Sequence, residues 1–131
     1  MIKKILIAIP VLLILGVIFM PNITTYSAKK AFEKENVNKP WAPETAYRAA
    51  GINLKFWRYA TAIQMYEKSM ATFPDYKEYN DASYRLALCY EKTDQLSKAI
   101  AQYESFMQKY PNHRWNSQAA KRIANIKANQ L

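Results

Sequence analysis

The chain has 131 residues, enough for one small domain plus an accessory segment and too few for two separate cores. Half of it is hydrophobic and the formal charge is +9, while one histidine, one cysteine and two glycines exclude an internal disulfide, a cysteine-rich zinc site and a glycine-rich phosphate loop. The basic surplus draws anionic partners in general (nucleic acid, lipid headgroups, acidic protein faces) without choosing among them.

The first predicted element is apolar. A short basic start, Met1 to Lys4, precedes an uncharged run that reaches 19 residues from Ile5 to Ile23. As a helix it spans roughly 28 Å, close to the thickness of a bilayer hydrocarbon core. Pro10 removes one backbone donor, which predicts a kink. A cleaved secretory signal is the competing reading, but the best small pair before a cut is Thr25 and Ser27, a poor one, so residues 1–23 read as a retained signal-anchor. No cysteine follows the apolar run, which argues against lipid attachment there. Lys3 and Lys4 are balanced by Lys29, Lys30 and Lys34. The short N-terminal tail gives the layout that leaves the N-terminus inside and exports the rest, so the expectation is a single-pass inner (cytoplasmic) membrane protein with its domain facing the periplasm. The sequon Asn22-Ile23-Thr24 abuts the membrane and reads as chance.

Residues 24–42 read as a polar connector, with a short helix over Ala28 to Glu35 and an extended stretch from Asn38 to Pro43 fixed by two prolines. Residues 43–131 then repeat. A shift of 37 lays Ala62–Pro74 (AIQMYEKSMATFP) on Ala99–Pro111 (AIAQYESFMQKYP), pairs Tyr47-Arg48-Ala49-Ala50 with Tyr84-Arg85-Leu86-Ala87, and carries Arg85-Leu86-Ala87 onto Arg122-Ile123-Ala124. Apolar residues recur at helical spacing, as in Leu86, Cys89, Tyr90 and then Leu96, Ala99, Ile100, Tyr103, Phe106. Thr93-Asp94-Gln95 breaks the first of these helices from the second, and Tyr110-Pro111 ends the second. The units are helical hairpins at about 43–79 and 80–116, followed by a capping helix at about 117–128.

Hairpins at this period stack into a helical solenoid, each unit burying its apolar face against its neighbours. The residues resemble the tetratricopeptide (TPR) family: Leu86, Ala87 and Tyr90 in the first helix, Ala99 and Tyr103 in the second, and Pro111 at the close, with Ala50, Ala62, Tyr66 and Pro74 in the preceding unit. The unit departs from the pattern at Ala49, Gly51 and Asn53, where larger apolar residues are usual. The usual period is about 34 residues, and the three added after Pro74 read as one more helical turn. This longer form resembles repeats of bacterial envelope proteins, including outer-membrane assembly lipoproteins. An unrelated helical bundle is the plainer alternative. The resemblance implies an all-α right-handed solenoid that binds proteins and carries out no catalysis, with no cofactor, nucleic acid or small-molecule substrate.

By motif position the concave face takes Tyr47, Leu54 and Lys55 from the first unit, Tyr84, Leu88, Glu91 and Lys92 from the second, and Lys121 and Asn125 from the last helix. Lysines and tyrosines stacked in this way suit an acidic or carboxylate-terminated segment, although each singly is more commonly a solvated or packed side chain. Phe56, Trp57 and Tyr59 crowd the first hairpin turn, where the second has Thr93-Asp94-Gln95, and mark a second candidate interface, on a partner or on the bilayer, with packing against the connector through Trp41 as the equal alternative. His113, alone and beside Pro111, reads as a surface histidine, and Cys89, aligned with Ile52, as a buried inert thiol. From Ser105 onward five basic residues (Lys109, Arg114, Lys121, Arg122, Lys127) meet no acidic one, which keeps a basic module for nucleic acid or anionic lipid as the rival class. Two hairpins plus one helix fall short of the about three repeats a solenoid needs, so an accessory subunit of a larger membrane complex is the function expected.

Overall fold

The computed structural model describes residues 2–130 and consists there of helices, with no strand among the described residues. Helix α1 is Ile2–Ala31, and two hairpins follow, α2 (Trp41–Lys55) with α3 (Tyr59–Thr72) and α4 (Tyr79–Lys92) with α5 (Leu96–Lys109). Helix α6, Asn116–Asn129, caps the stack. Consecutive helices pack on one another throughout, as expected of a solenoid in which each unit is buried by its neighbours.

The 37-residue register is written into the backbone. Trp57 and Asp94 sit one register apart and both have positive φ, 56° and 60°. Arg58 and Gln95 match (φ −85°, ψ 60° and φ −88°, ψ 61°), as do Phe73 and Tyr110 (φ −128°, ψ 63° and φ −128°, ψ 62°). The turn amides are held alike: Arg58 N–H donates to Asn53 O at 2.9 Å and Gln95 N–H to Tyr90 O at 2.9 Å. Small residues allow the close crossings, with Ala46, Ala50, Ala62, Ala87, Ala99 and Ala119 all fully enclosed. Tyr47, Tyr66, Tyr103 and Phe106 fill the space between them.

Helix α1 has two parts. From Lys4 to Met20 its side chains are exposed, Leu12 at 67%, and the helix is long and apolar enough to cross a membrane. Beyond Pro21 it becomes part of the solenoid. Ala28 and Ala31 are fully buried, Asn53 Nδ2 donates to Thr25 Oγ1 at 2.8 Å, and Arg58 Nη1 donates to Asn22 Oδ1 at 2.8 Å. Residues 22–31 thereby occupy the place one register before α3, that of the second helix of a preceding repeat.

Three local expectations are corrected. Residues 28–31 continue α1 instead of starting a short helix of their own, because Ala28 and Ala31 find an apolar surface on the first hairpin. Residues 32–40 are a chain of turns, closed by Asn36 N–H to Glu33 O at 2.8 Å and Lys39 N–H to Asn36 O at 2.8 Å, and no extended stretch leads to Pro43. Pro43 lies in the first turn of α2, where a missing N–H leaves no helical bond unmade. The residues added after Pro74 also form turns, with no extra helical turn, and Tyr76 folds back on Tyr47 with ring centroids 5.1 Å apart.

Candidate functional site

The first helices of the repeats and the cap, α2, α4 and α6, form two successive grooves. Between α4 and α6 the groove is closed by its own side chains. Arg122 Nη1 donates to both Glu91 carboxylate oxygens, at 3.0 and 3.1 Å, and Arg122 Nε donates to Tyr84 Oη at 3.1 Å. Tyr103 Oη completes the set by donating to Glu91 Oε2 at 2.8 Å. Burial, and then that bond to a carboxylate, push the Tyr103 phenol far above its ordinary range, so it stays a donor. Tyr84 also packs against Tyr103, Phe106 and Trp115.

One register earlier, between α2 and α4, the same positions hold Arg85, Leu54, Tyr47 and Tyr66. Leucine replaces the glutamate, and the closed network cannot form. Tyr47 is satisfied elsewhere, its Oη donating to Phe73 O at 2.9 Å. Tyr66 is 1% exposed, and its hydroxyl faces the Arg85 guanidinium without forming a hydrogen bond of regular geometry. Burial raises its pKa, opposed by the Arg85 cation nearby. Arg85 lies 4.0 Å from Asp81 and over the Trp115 ring at 5.6 Å, and its side chain remains 34% accessible. Gly51, standing where the second repeat has Leu88, adds no side chain; a Cβ there would lie 3.6 Å from Tyr66 Oη and 3.9 Å from Arg85 Nη1. The result is a cavity of about 250 Å³ whose lining includes Tyr47, Gly51, Leu54 and three cations (Arg48, Lys55 and Arg85) against two carboxylates, Glu44 and Glu78, the first of them paired with Arg48.

The structure therefore divides the residues singled out from sequence. Tyr47, Leu54 and Lys55 come together on the wall of the open groove. Tyr84 and Glu91 are consumed by internal bonds, Leu88 is half-buried, and Lys92, Lys121 and Asn125 are exposed. Arg85, Tyr66 and Gly51 are absent from the groove residues expected from motif position, although the 37-residue shift sets Arg85 against Arg122 and Leu54 against Glu91. In the aromatic corner Trp57 is 76% exposed, while Phe56 and Tyr59 are half-buried.

His113 is corrected from a surface residue to a brace. Its side chain is 12% exposed, its Nε2 lies 2.8 Å from Asp81 Oδ1, and its ring packs edge-on to Phe106 at 5.0 Å. This fixes the start of α4 to the turn before α6. Cys89 is fully buried, and burial pushes its thiol up to about 12, so it is neither nucleophile nor ligand at neutral pH. Of the five C-terminal cations, Arg114, Arg122 and Lys127 are paired with Asp81, Glu91 and Glu104, which dissipates much of the basic surface that sequence alone implied. No cluster of three or more potential metal ligands occurs among the described residues.

Residues 40–123, spanning both hairpins and reaching into the cap, match the YfiO family of outer membrane lipoproteins. The chain belongs to that family. A comparison with curated proteins gives no significant match. The YfiO fold is TPR-like and its members are protein-binding, non-enzymatic modules, which agrees with an all-α repeat built around a groove. The family and the apolar first helix together associate the chain with a cell envelope. The chain departs from the lipoprotein description at one point: its single cysteine is Cys89, inside α4, and no cysteine follows the apolar stretch.

Proposed function

We propose that the chain is a single-pass inner-membrane protein whose exported TPR domain serves as an assembly subunit of a membrane protein complex, holding a partner in the groove between α2 and α4. The apolar span takes the place of a lipid attachment. The observation that carries the reading is the difference between the two grooves: the second contains a carboxylate held by an arginine and a buried tyrosine, and the first retains the arginine and the tyrosine without the carboxylate. An anion entering the groove beside Arg85 gains a charge-assisted bond, with the buried Tyr66 hydroxyl behind the guanidinium. The partner is thus a protein segment presenting a carboxylate, either a C-terminus or an acidic side chain, laid along Tyr47, Leu54 and Lys55.

Purification from native membranes in mild detergent, with a tag at Leu131, tests this. The wild-type chain is expected to bring down membrane-protein partners in stoichiometric amount. Leu54→Glu, which installs the missing carboxylate in cis, is expected to lose them while remaining folded. Recovery of the wild-type chain alone, or unchanged recovery of partners by the folded variant, would overturn the proposal.

A further inference from the structure

Trp57 poses a physical problem that the groove does not answer. It occupies the left-handed backbone region at φ 56°, where a bulky side chain is disfavoured, and the equivalent position in the second hairpin holds Asp94, a residue that tolerates it. A tryptophan retained there at an energetic cost is expected to be buried in something. Within the chain it is not: 76% of it is exposed.

The geometry of α1 shows what lies beside it. Helices α1 and α2 run antiparallel, so the α2–α3 turn comes back level with the lower end of the α1 solenoid segment, fixed there by Asn53 to Thr25 at 2.8 Å and Arg58 to Asn22 at 2.8 Å. Asn22 lies at the end of the apolar run, two residues beyond Met20, and Ile23 beside it is still 61% exposed. A hydrocarbon core of about 30 Å is spanned by roughly 20 helical residues, with a headgroup zone of some 5–7 Å beyond it. A run that begins after Lys4 therefore sets Asn22, and with it Arg58 and Trp57, at the boundary between the hydrocarbon and the headgroups. Tryptophan and tyrosine favour that zone, where a ring is partly desolvated and its N–H or O–H stays wet. Lys55 and Arg58 flank the corner and match anionic headgroup oxygens.

Resting on the reading of α1 as a membrane span, we propose that the Phe56-Trp57-Arg58-Tyr59 corner is a second membrane contact, embedded in the headgroup zone of the leaflet from which α1 emerges. The occupant of this exposed aromatic surface is lipid. Two contacts, the span and the corner, fix the orientation of the solenoid on the bilayer. Lys55 belongs both to this end of α2 and to the lining of the open groove, so the groove mouth is held close to the membrane surface.

The test uses the full chain in lipid nanodiscs made with phosphatidylcholine that is unbrominated, brominated near the glycerol end of its acyl chains, or brominated near the terminal methyl. The difference between wild-type and Trp57→Phe emission isolates Trp57. An about twofold loss of that difference with the shallow bromines, and a smaller loss with the deep ones, is expected for a ring at the interface. Separately, Leu13→Trp in the Trp57→Phe background reports the span and is expected to be quenched most by the deep bromines. Quenching at position 13 with an unquenched Trp57 overturns the corner contact and leaves the span standing. Absence of quenching at both overturns the span, and the corner contact falls with it.

Discussion

The two hairpins have one backbone and two interiors. Their turns agree to within a few degrees of φ and ψ, yet every buried side-chain polar atom left without a partner among the described residues (Asn53 Oδ1, Tyr66 Oη, Ser69 Oγ) lies in the first. At the equivalent positions the second has Tyr90 bonded to Glu67, Tyr103 bonded to Glu91, and Phe106 fully buried. Small apolar residues at the crossings set the repeat geometry, and the remaining positions are free to make one unit a closed structural block and the next an open one. The second hairpin and its cap anchor the fold. The first leaves polar groups unmatched between that block and the apolar first helix, which is the place to expect a partner.

The largest effect that distinguishes the two interiors should come from the pair Phe106 and Ser69. Phe106→Ala removes a wholly buried ring and is expected to cost about 3–5 kcal/mol. Ser69→Ala, one register earlier, removes a hydroxyl that has no partner and should stay within about 1 kcal/mol of the wild type, on the stabilising side. Thermal unfolding of the full chain in detergent, followed by circular dichroism, measures both. Similar losses at the two sites would mean that the first interior is as tightly filled as the second.

Next in size is the exchange of groove residues. Glu91→Leu copies the first groove into the second, leaving Arg122 and Tyr103 without their carboxylate at a cost of about 2 kcal/mol. The reverse exchange, Leu54→Glu, gives Arg85 and Tyr66 a shared acceptor and should stabilise by about 1 kcal/mol. Opposite signs in chemical denaturation carry the test; destabilisation by both changes would show that the missing carboxylate is not what leaves Tyr66 unpaired.

Much of this was legible in the sequence because it depends on local period. The helices of both hairpins, the crossing alanines and the inert Cys89 follow from apolar spacing and the 37-residue shift. The role of residues 22–31 was not legible. Shifted by the same register, Thr25 falls at the alanine position and Lys29 at the tyrosine position, so no motif signals a helix that nonetheless stacks through Ala28 and Ala31. His113 was misplaced for a different reason: its partner Asp81 is 32 residues away, and only the superposed turns bring them together. The open groove stands between these cases. Its signal, Leu54 against Glu91 with arginine in both units, is present in the alignment, but it becomes meaningful only when the second unit shows what the arginine normally holds.

The smallest predicted effect isolates the turn. Trp57 and Asp94 share a left-handed conformation, so glycine at either position relieves a steric penalty while adding freedom to the unfolded chain. The penalty is greater for a bulky ring than for aspartate, so Trp57→Gly in detergent should raise stability by up to about 1 kcal/mol, and Asp94→Gly by no more than a few tenths. In nanodiscs the two variants should part company. Asp94→Gly keeps its small effect, whereas Trp57→Gly also gives up a ring lying in the headgroup zone, and its gain in Tm should shrink or reverse. A gain of equal size in detergent and in lipid would mean that Trp57 obtains nothing from the bilayer, and its strained position would then need another occupant to account for it.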